Sequence, residues 1–277
     1  MPERIFQTHP APEFALTDCH VHIGASDTGE IFYPELTVAE YQSLMAASGI
    51  ERACIFAPLR ADGYRQANQA LAATAAQSDR TLLAFARLSS RAIPLTEPAP
   101  WLARRKIRRR LSRRPPDLAD PAELDGFDGV KLLPHMDGVP NRDTLAAIDE
   151  RRLPLLVHGG DFCGPAWIEK HLIAHTRGPV IIAHLGCFPC AEHHLRDAIA
   201  VAARHDHVYL DTSGAWHTEY LRYAVAHIPE RIVFGSDAPL MHPWVGWQHV
   251  TRAVRDDKLL EHIGRGAAAE IFGPLTT

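Results

Sequence analysis

Two histidines one residue apart, His20 and His22 in TDCHVHIG, are the first residues whose types and spacing suggest chemistry. In an extended strand alternate side chains share a face, so both imidazoles would point the same way and could chelate one ion. A lone His-x-His is a weak motif. Four more ionisable residues recur where short apolar runs end: Lys131 in GVKLL, His158 in LLVHGG, His184 in VIIAHLG and Asp237 in VFGSDAP. His158 and Asp237 would complete an N₃O ligand set with the first pair, which suits zinc and also manganese or iron. Arg60 in APLRADGY, after the second run, could bind an anionic substrate or be a solvated loop residue.

The elements that must position these residues follow from periodicity. Apolar, β-branched runs occur around 15–22, 50–57, 81–87, 128–133, 153–158, 179–184, 207–212 and 231–236. Helical patterns lie between most of them. Thr37 and Glu40 form a capping box opening VAEYQSLMAAS, with Gly49 placed as its C-terminal cap. The stretches 64–78, 142–152, 165–177, 191–205, 216–228 and 244–256 also read as helices. Strand alternating with helix predicts an α/β protein with a parallel sheet. A doubly wound sheet would need a glycine-rich phosphate loop after an early strand, and His22-Ile-Gly-Ala-Ser stands there instead. The expected fold is one (β/α)8 TIM barrel spanning 1–277, whose strand C-termini form the active site.

In order and spacing these segments resemble the amidohydrolase superfamily, in particular the branch of carboxymuconate-semialdehyde decarboxylases and related hydrolases and lactonases. TDCHVHIG resembles the family's opening metal motif. GYRQANQALAATAAQSDRTLLAFARL, with Asn68 and the Asp79-Arg80 pair, resembles its second helix and third strand. GVKLLP, LLVHGG, VIIAHLG, VYLDTSG and RIVFGSDAP resemble strands 4 to 8. IGRGAAAEIFG resembles the last helix, with Gly266 where Asn is usual, so a different start to that helix is expected. The resemblance implies His20, His22, His158 and Asp237 as metal ligands, and His184 as an acid/base or oxyanion-orienting residue.

The implied reaction is attack on an ester, lactone or amide carbonyl by water made nucleophilic at a divalent metal, zinc first among the candidates. Asp237 would take and return the proton, and His184 would polarise the carbonyl. A lysine inside a barrel needs a counter-charge or loses its proton. Lys131 could therefore hold a substrate carboxylate, bridge two metals as a carboxylated lysine, or pair with an acid and organise the barrel. One ion rather than two is expected. Two further readings stay open: a metal-dependent decarboxylase or hydratase, and a non-catalytic metal- or ligand-binding relative.

Composition bounds the rest. Hydrophobic residues are 46% and charged residues 22% of 277, enough for a large core. A net charge of −4 argues against nucleic acid as a partner. The first residues lack a signal-peptide core and no run is long and apolar enough to span a membrane, so a cytoplasmic protein is expected. Five cysteines without such a signal suggest free thiols. A small-molecule substrate is the expected partner, and homo-oligomerisation is left open. ARRKIRRRLSRRPP carries eight basic residues between Arg104 and Arg114. Such a run could meet nucleic acid or an acidic membrane surface, but a solvated helical insertion between strands 3 and 4, or a lid attracting anionic substrate, is the favoured expectation. Cys187-Phe-Pro-Cys190 with His193 and His194 has zinc-like spacing, but adjacent histidines share no obvious face. The glycines of LVHGGD would let the chain turn sharply, and Asp161 could orient His158.

Overall fold

The computed structural model describes residues 12–26, 34–60, 62–89, 121–161 and 163–275. All eight expected strands are present: β1 (Leu16–His22), β2 (Ile50–Phe56), β3 (Leu82–Arg87), β4 (Gly129–Leu132), β5 (Leu155–Val157), β6 (Val180–Ile182), β7 (Val208–Asp211) and β8 (Ile232–Val233). Each pairs in parallel with the next in chain order. The ring closes through Cys19 N donating to Phe234 O (2.9 Å), Asp237 N to His20 O (2.9 Å) and His22 N to Ala238 O (2.8 Å). The chain is therefore a TIM barrel. The regular ladder of β8 is only two residues because the following segment leaves β7 to bond β1.

The helices are α1 (Val38–Ser48), α2 (Arg65–Ala75), α3 (Pro134–Asp137), α4 (Arg142–Glu150), α5 (Pro165–His171), α6 (Glu192–Arg204), α7 (Thr218–His227), α8 (Pro243–Ala253), α9 (Asp257–Glu261) and α10 (Ala267–Phe272). The capping box on α1 is formed in both directions, and Gly49 ends the helix in the left-handed region at φ 72°. The last helix enters through a π turn, His262–Gly266, where a Cβ on residue 266 would lie 2.8 Å from His262 Nδ1. The basic stretch 104–114 and the expected insertion around it lie outside the described residues.

Two cores follow from strand alternation. Outward-facing residues such as Ala53, Ile55, Val130, Val157 and Ile182 pack under the helices. Cys19, Cys54, Phe56, Leu83, Phe85, Leu156, Ile181, Tyr209 and Val233 fill the barrel, and Ala267 and Ala268 of α10 join them. Gly129 is required there, because a Cβ would sit 2.4 Å from the Phe85 ring. One register shift lies between Leu16, which pairs with Ile50, and Thr17, which pairs with Arg52. In the opposite sense, between Asp18 and Val21, β1 carries one residue more than the facing stretch of β2, Asp18 pairing with Ala53 and Val21 with Ile55. This bulge resets the alternation above Cys19, so that Val21 packs outward while His20 and His22 gather at the mouth. Asp18 fastens the bulge by accepting from Tyr41 Oη (2.8 Å), Ser236 N (2.8 Å) and His20 N (3.2 Å).

Candidate metal centre

β1 brings His20 and His22 to the barrel mouth, and the loop after β8 brings Asp237 to meet them. His22 Nε2 lies 3.2 Å and His20 Nε2 3.3 Å from Asp237 Oδ1. All three side chains are buried, and their ligand atoms lie within 4.8 Å of one another. A tetrahedral ion with bonds of about 2.0–2.1 Å needs donors roughly 3.3 Å apart, so the separations fit one. Asp237 sits at φ 67°, a strained backbone for a non-glycine residue and common where a side chain is aimed for function.

The orientation of His20 is set by Asp211, which sequence reasoning missed although it lies in the quoted VYLDTSG. Asp211 Oδ2 is 2.8 Å from His20 Nδ1. A carboxylate there accepts a hydrogen bond from Nδ1–H and leaves Nε2 with its lone pair toward Asp237. Asp211 Oδ1 accepts from His184 N (2.8 Å), from Ser213 N (3.0 Å) and from the Ser213 hydroxyl. The signal was available: Asp211 is the last residue of an expected strand, where the other polar residues were found.

His184 also has a left-handed backbone, at φ 61°. Its Nδ1 is 3.0 Å from Ser213 O, which can only accept, so Nδ1 carries the proton and Nε2 faces His158 Nδ1 at 3.1 Å. His158 is thus linked to the centre through His184 and is not in the group of three with Asp237. His20, His184 and Asp211 form a second group with ligand-type spacing. Hydrogen bonding to Asp211 and Ser213 already occupies their facing atoms, so the first group is the better cation site. His135, on α3, adds a further ring 4.9 Å from that of His158; it too was missed, because it follows strand 4 rather than ending it.

Burial pulls His20 and His158 well below the usual imidazole range; the Lys131 charge adds to this for His20, and His184 for His158. Burial also lowers His22 to about 4 against the pull of Asp237, and His135 to about 4. Neutral imidazoles are the form that ligates. For Asp237 burial acts upward, but His20, the His22 hydrogen bond and His184 hold the carboxyl below its ordinary value. An ionised carboxylate among neutral imidazoles calls for a cation. Lys131 Nζ, 3.3 Å from His20 Nε2, sits on the Phe56 ring at 4.9 Å; burial brings it down to about 7 despite Asp211.

The remaining expectations are placed as follows. Arg60 lies near the mouth, donating to Ala25 O at 3.4 Å, and is held by Asp62 through Nε (2.9 Å) and Nη2 (2.7 Å). Asp161 faces His194 at 3.7 Å rather than His158. Gly160 does turn sharply, at φ 134°, with Phe188 O 2.1 Å from where its Cβ would be. Cys187, Cys190, His193 and His194 form no ligand group among the described residues. At the C-terminal end of β3, beside the candidate centre, Arg87 is buried against Asp137 through Nε (2.9 Å) and Nη2 (2.8 Å), with Tyr64 Oη donating to the same carboxylate at 2.7 Å. Asn68 Nδ2 donates to Arg87 O (2.8 Å) and Asn68 Oδ1 accepts from Arg87 N (3.1 Å).

No curated protein matches the chain in sequence. Solved structures resemble it in fold. A 2,6-dihydroxybenzoate decarboxylase from Rhizobium is 17% identical with a TM-score of 0.64, over 94% of this chain and 98% of its own. A Pseudomonas putida protein named as a candidate 2-pyrone-4,6-dicarboxylic acid hydrolase is 16% identical with a TM-score of 0.65, over 95% and 99%. A dihydroxybenzoic acid decarboxylase from Polaromonas, with bound manganese and 2-nitroresorcinol, is 16% identical with a TM-score of 0.61, over 94% and 97%. The family model described as amidohydrolase matches residues 17–273, and the chain belongs to that family.

Proposed function

We propose that this protein is a metal-dependent hydrolase that cleaves an ester, lactone or amide bond of a small anionic substrate. The approach of His20 Nε2 and His22 Nε2 to Asp237 Oδ1, at 3.3 and 3.2 Å, carries the reading. His20, His22 and Asp237 would hold one divalent ion, zinc or manganese or iron, with His158 adjacent as a fourth donor. Such an ion supplies Lewis acidity and lowers the pKa of water from about 15.7 toward about 7. Asp237 accepts a proton from the attacking water and returns it to the leaving group. With its Nδ1 proton held by Ser213 O, His184 turns the Nε2 lone pair toward the mouth histidines; there it acts as a base, and only as the doubly protonated imidazolium does it donate to the substrate carbonyl. Lys131 and Arg60 give an anionic substrate two cationic contacts, Arg60 by exchanging Asp62 for a substrate carboxylate.

Lys131 also favours a second reading. A buried lysine 3.3 Å from a ligand histidine, drawn to its charged form by a substrate carboxylate, could hold that carboxylate against the ion, as a decarboxylase requires. Reactions in ¹⁸O-labelled water with panels of lactones, esters and unsaturated carboxylic acids separate the two. Hydrolysis puts label into the new carboxyl group of the product; decarboxylation releases CO₂ and leaves the remaining product without label. Full metal content and full turnover in His20→Ala/His22→Ala would overturn both.

A further inference from the structure

Along β2 the side chains of Arg52, Cys54 and Phe56 share the inward face. Phe56 reaches the histidines at the mouth, and Arg52 lies at the opposite, N-terminal end of the strands. Arg52 is 2% exposed. Its Nη1 donates to Gly273 O at 2.8 Å, and its guanidinium lies 5.7 Å from the Phe272 ring. The Nε hydrogen has no acceptor, and no carboxylate pairs with this arginine among the described residues. A guanidinium carries five donors and a permanent charge, so a buried one without an acid lacks the partner that such groups normally have.

A cavity of about 510 Å³ opens beside it, lined by Arg52, Arg80, Gln42, Thr81 and Pro274 among others. Arg80 and its neighbour Asp79 both have left-handed backbones, at φ 62° and 46°. Arg80 reaches only a loose pairing, 3.6 Å, with Asp128. Burial lowers the Arg52 pKa, and the Arg80 charge acts in the same direction. Glu51 and Asp79 also line the cavity, exposed and paired with neither arginine, so the lining is neutral overall and a small anion is held by direct contact with the guanidiniums rather than by a net positive field.

We propose that this cavity at the foot of the barrel binds a small oxyanion, a carboxylate or a phosphate, between Arg52 and Arg80. The ligand completes the hydrogen bonding of Arg52 and ties the start of β2 to the chain that follows α10. It is distinct in place and chemistry from the mouth, where the ligand atoms are imidazoles and carboxylates.

The test is thermal melting of the full chain in inorganic phosphate and, separately, in succinate, with ionic strength held constant by sodium chloride. The melting temperature should rise and saturate with either anion. Arg80→Gln, on an exposed side chain, should keep the fold and require at least about tenfold more anion for half-saturation, as loss of one charge-assisted contact predicts. His20→Ala/His22→Ala should leave the response intact, which separates this site from anion binding at the mouth. A response that is absent, does not saturate, is matched by chloride or survives unchanged in Arg80→Gln overturns the proposal.

Discussion

Asp211→Asn is the sharpest perturbation of the candidate centre, because the substitution changes no shape and only one atom's chemistry. The amide oxygen can still accept from His184 N and Ser213 N, which lie 2.8 and 3.0 Å from Asp211 Oδ1. At the other position an NH₂ group replaces the oxygen 2.8 Å from His20 Nδ1. Two donors cannot face each other, so His20 must accept at Nδ1 and carry its proton on Nε2. That is the atom beside Asp237, and a protonated nitrogen cannot ligate. Loss of such an orienting partner typically weakens metal binding about 10–100-fold, or about 1.4–2.7 kcal/mol. Competition with a chromophoric chelator measures the affinity, and melting of the metal-free protein shows whether the fold is retained. Asp211→Ala is the contrasting variant: it strands buried N–H donors at about 1–3 kcal/mol each and should lower stability as well. If Asp211→Asn bound zinc as tightly as the parent, the tautomer argument would be wrong.

Three further substitutions test the frame around the site. Asp137→Ala leaves Arg87 buried without its carboxylate and should cost about 3–5 kcal/mol in a denaturant melt. Gly129→Ala places a methyl group 2.4 Å from the Phe85 ring, and overpacking should cost about 1–3 kcal/mol, read from the shift in urea midpoint. Thr37→Ala removes the capping hydroxyl that accepts from Glu40 N at 3.2 Å; a loss of about 1 kcal/mol is expected, with no change in metal affinity.

The sequence by itself determined the fold, because each βα unit is written locally. Alternation of apolar residues, a capping box at Thr37 and Glu40, and glycine at residue 49 each act over a few positions. All eight strands, and the helices expected among the described residues, lie where those signals stand; the short helices Pro134–Asp137 and Asp257–Glu261 are not among those expected. It also named the polar residues at strand ends, since every parallel strand delivers its last side chain to one rim. What it could not supply is how those side chains pair across the rim. The bulge in β1 turns Cys19 into the barrel and still leaves His20 and His22 together at the mouth; it depends on register with β2 and on Asp18 reaching Tyr41 and Ser236. The role of Asp211 as holder of His20 joins residues 191 positions apart, and His22 meets Asp237 across 215. Contacts at that separation exist only once the barrel has closed, because closure is what brings β8 beside β1.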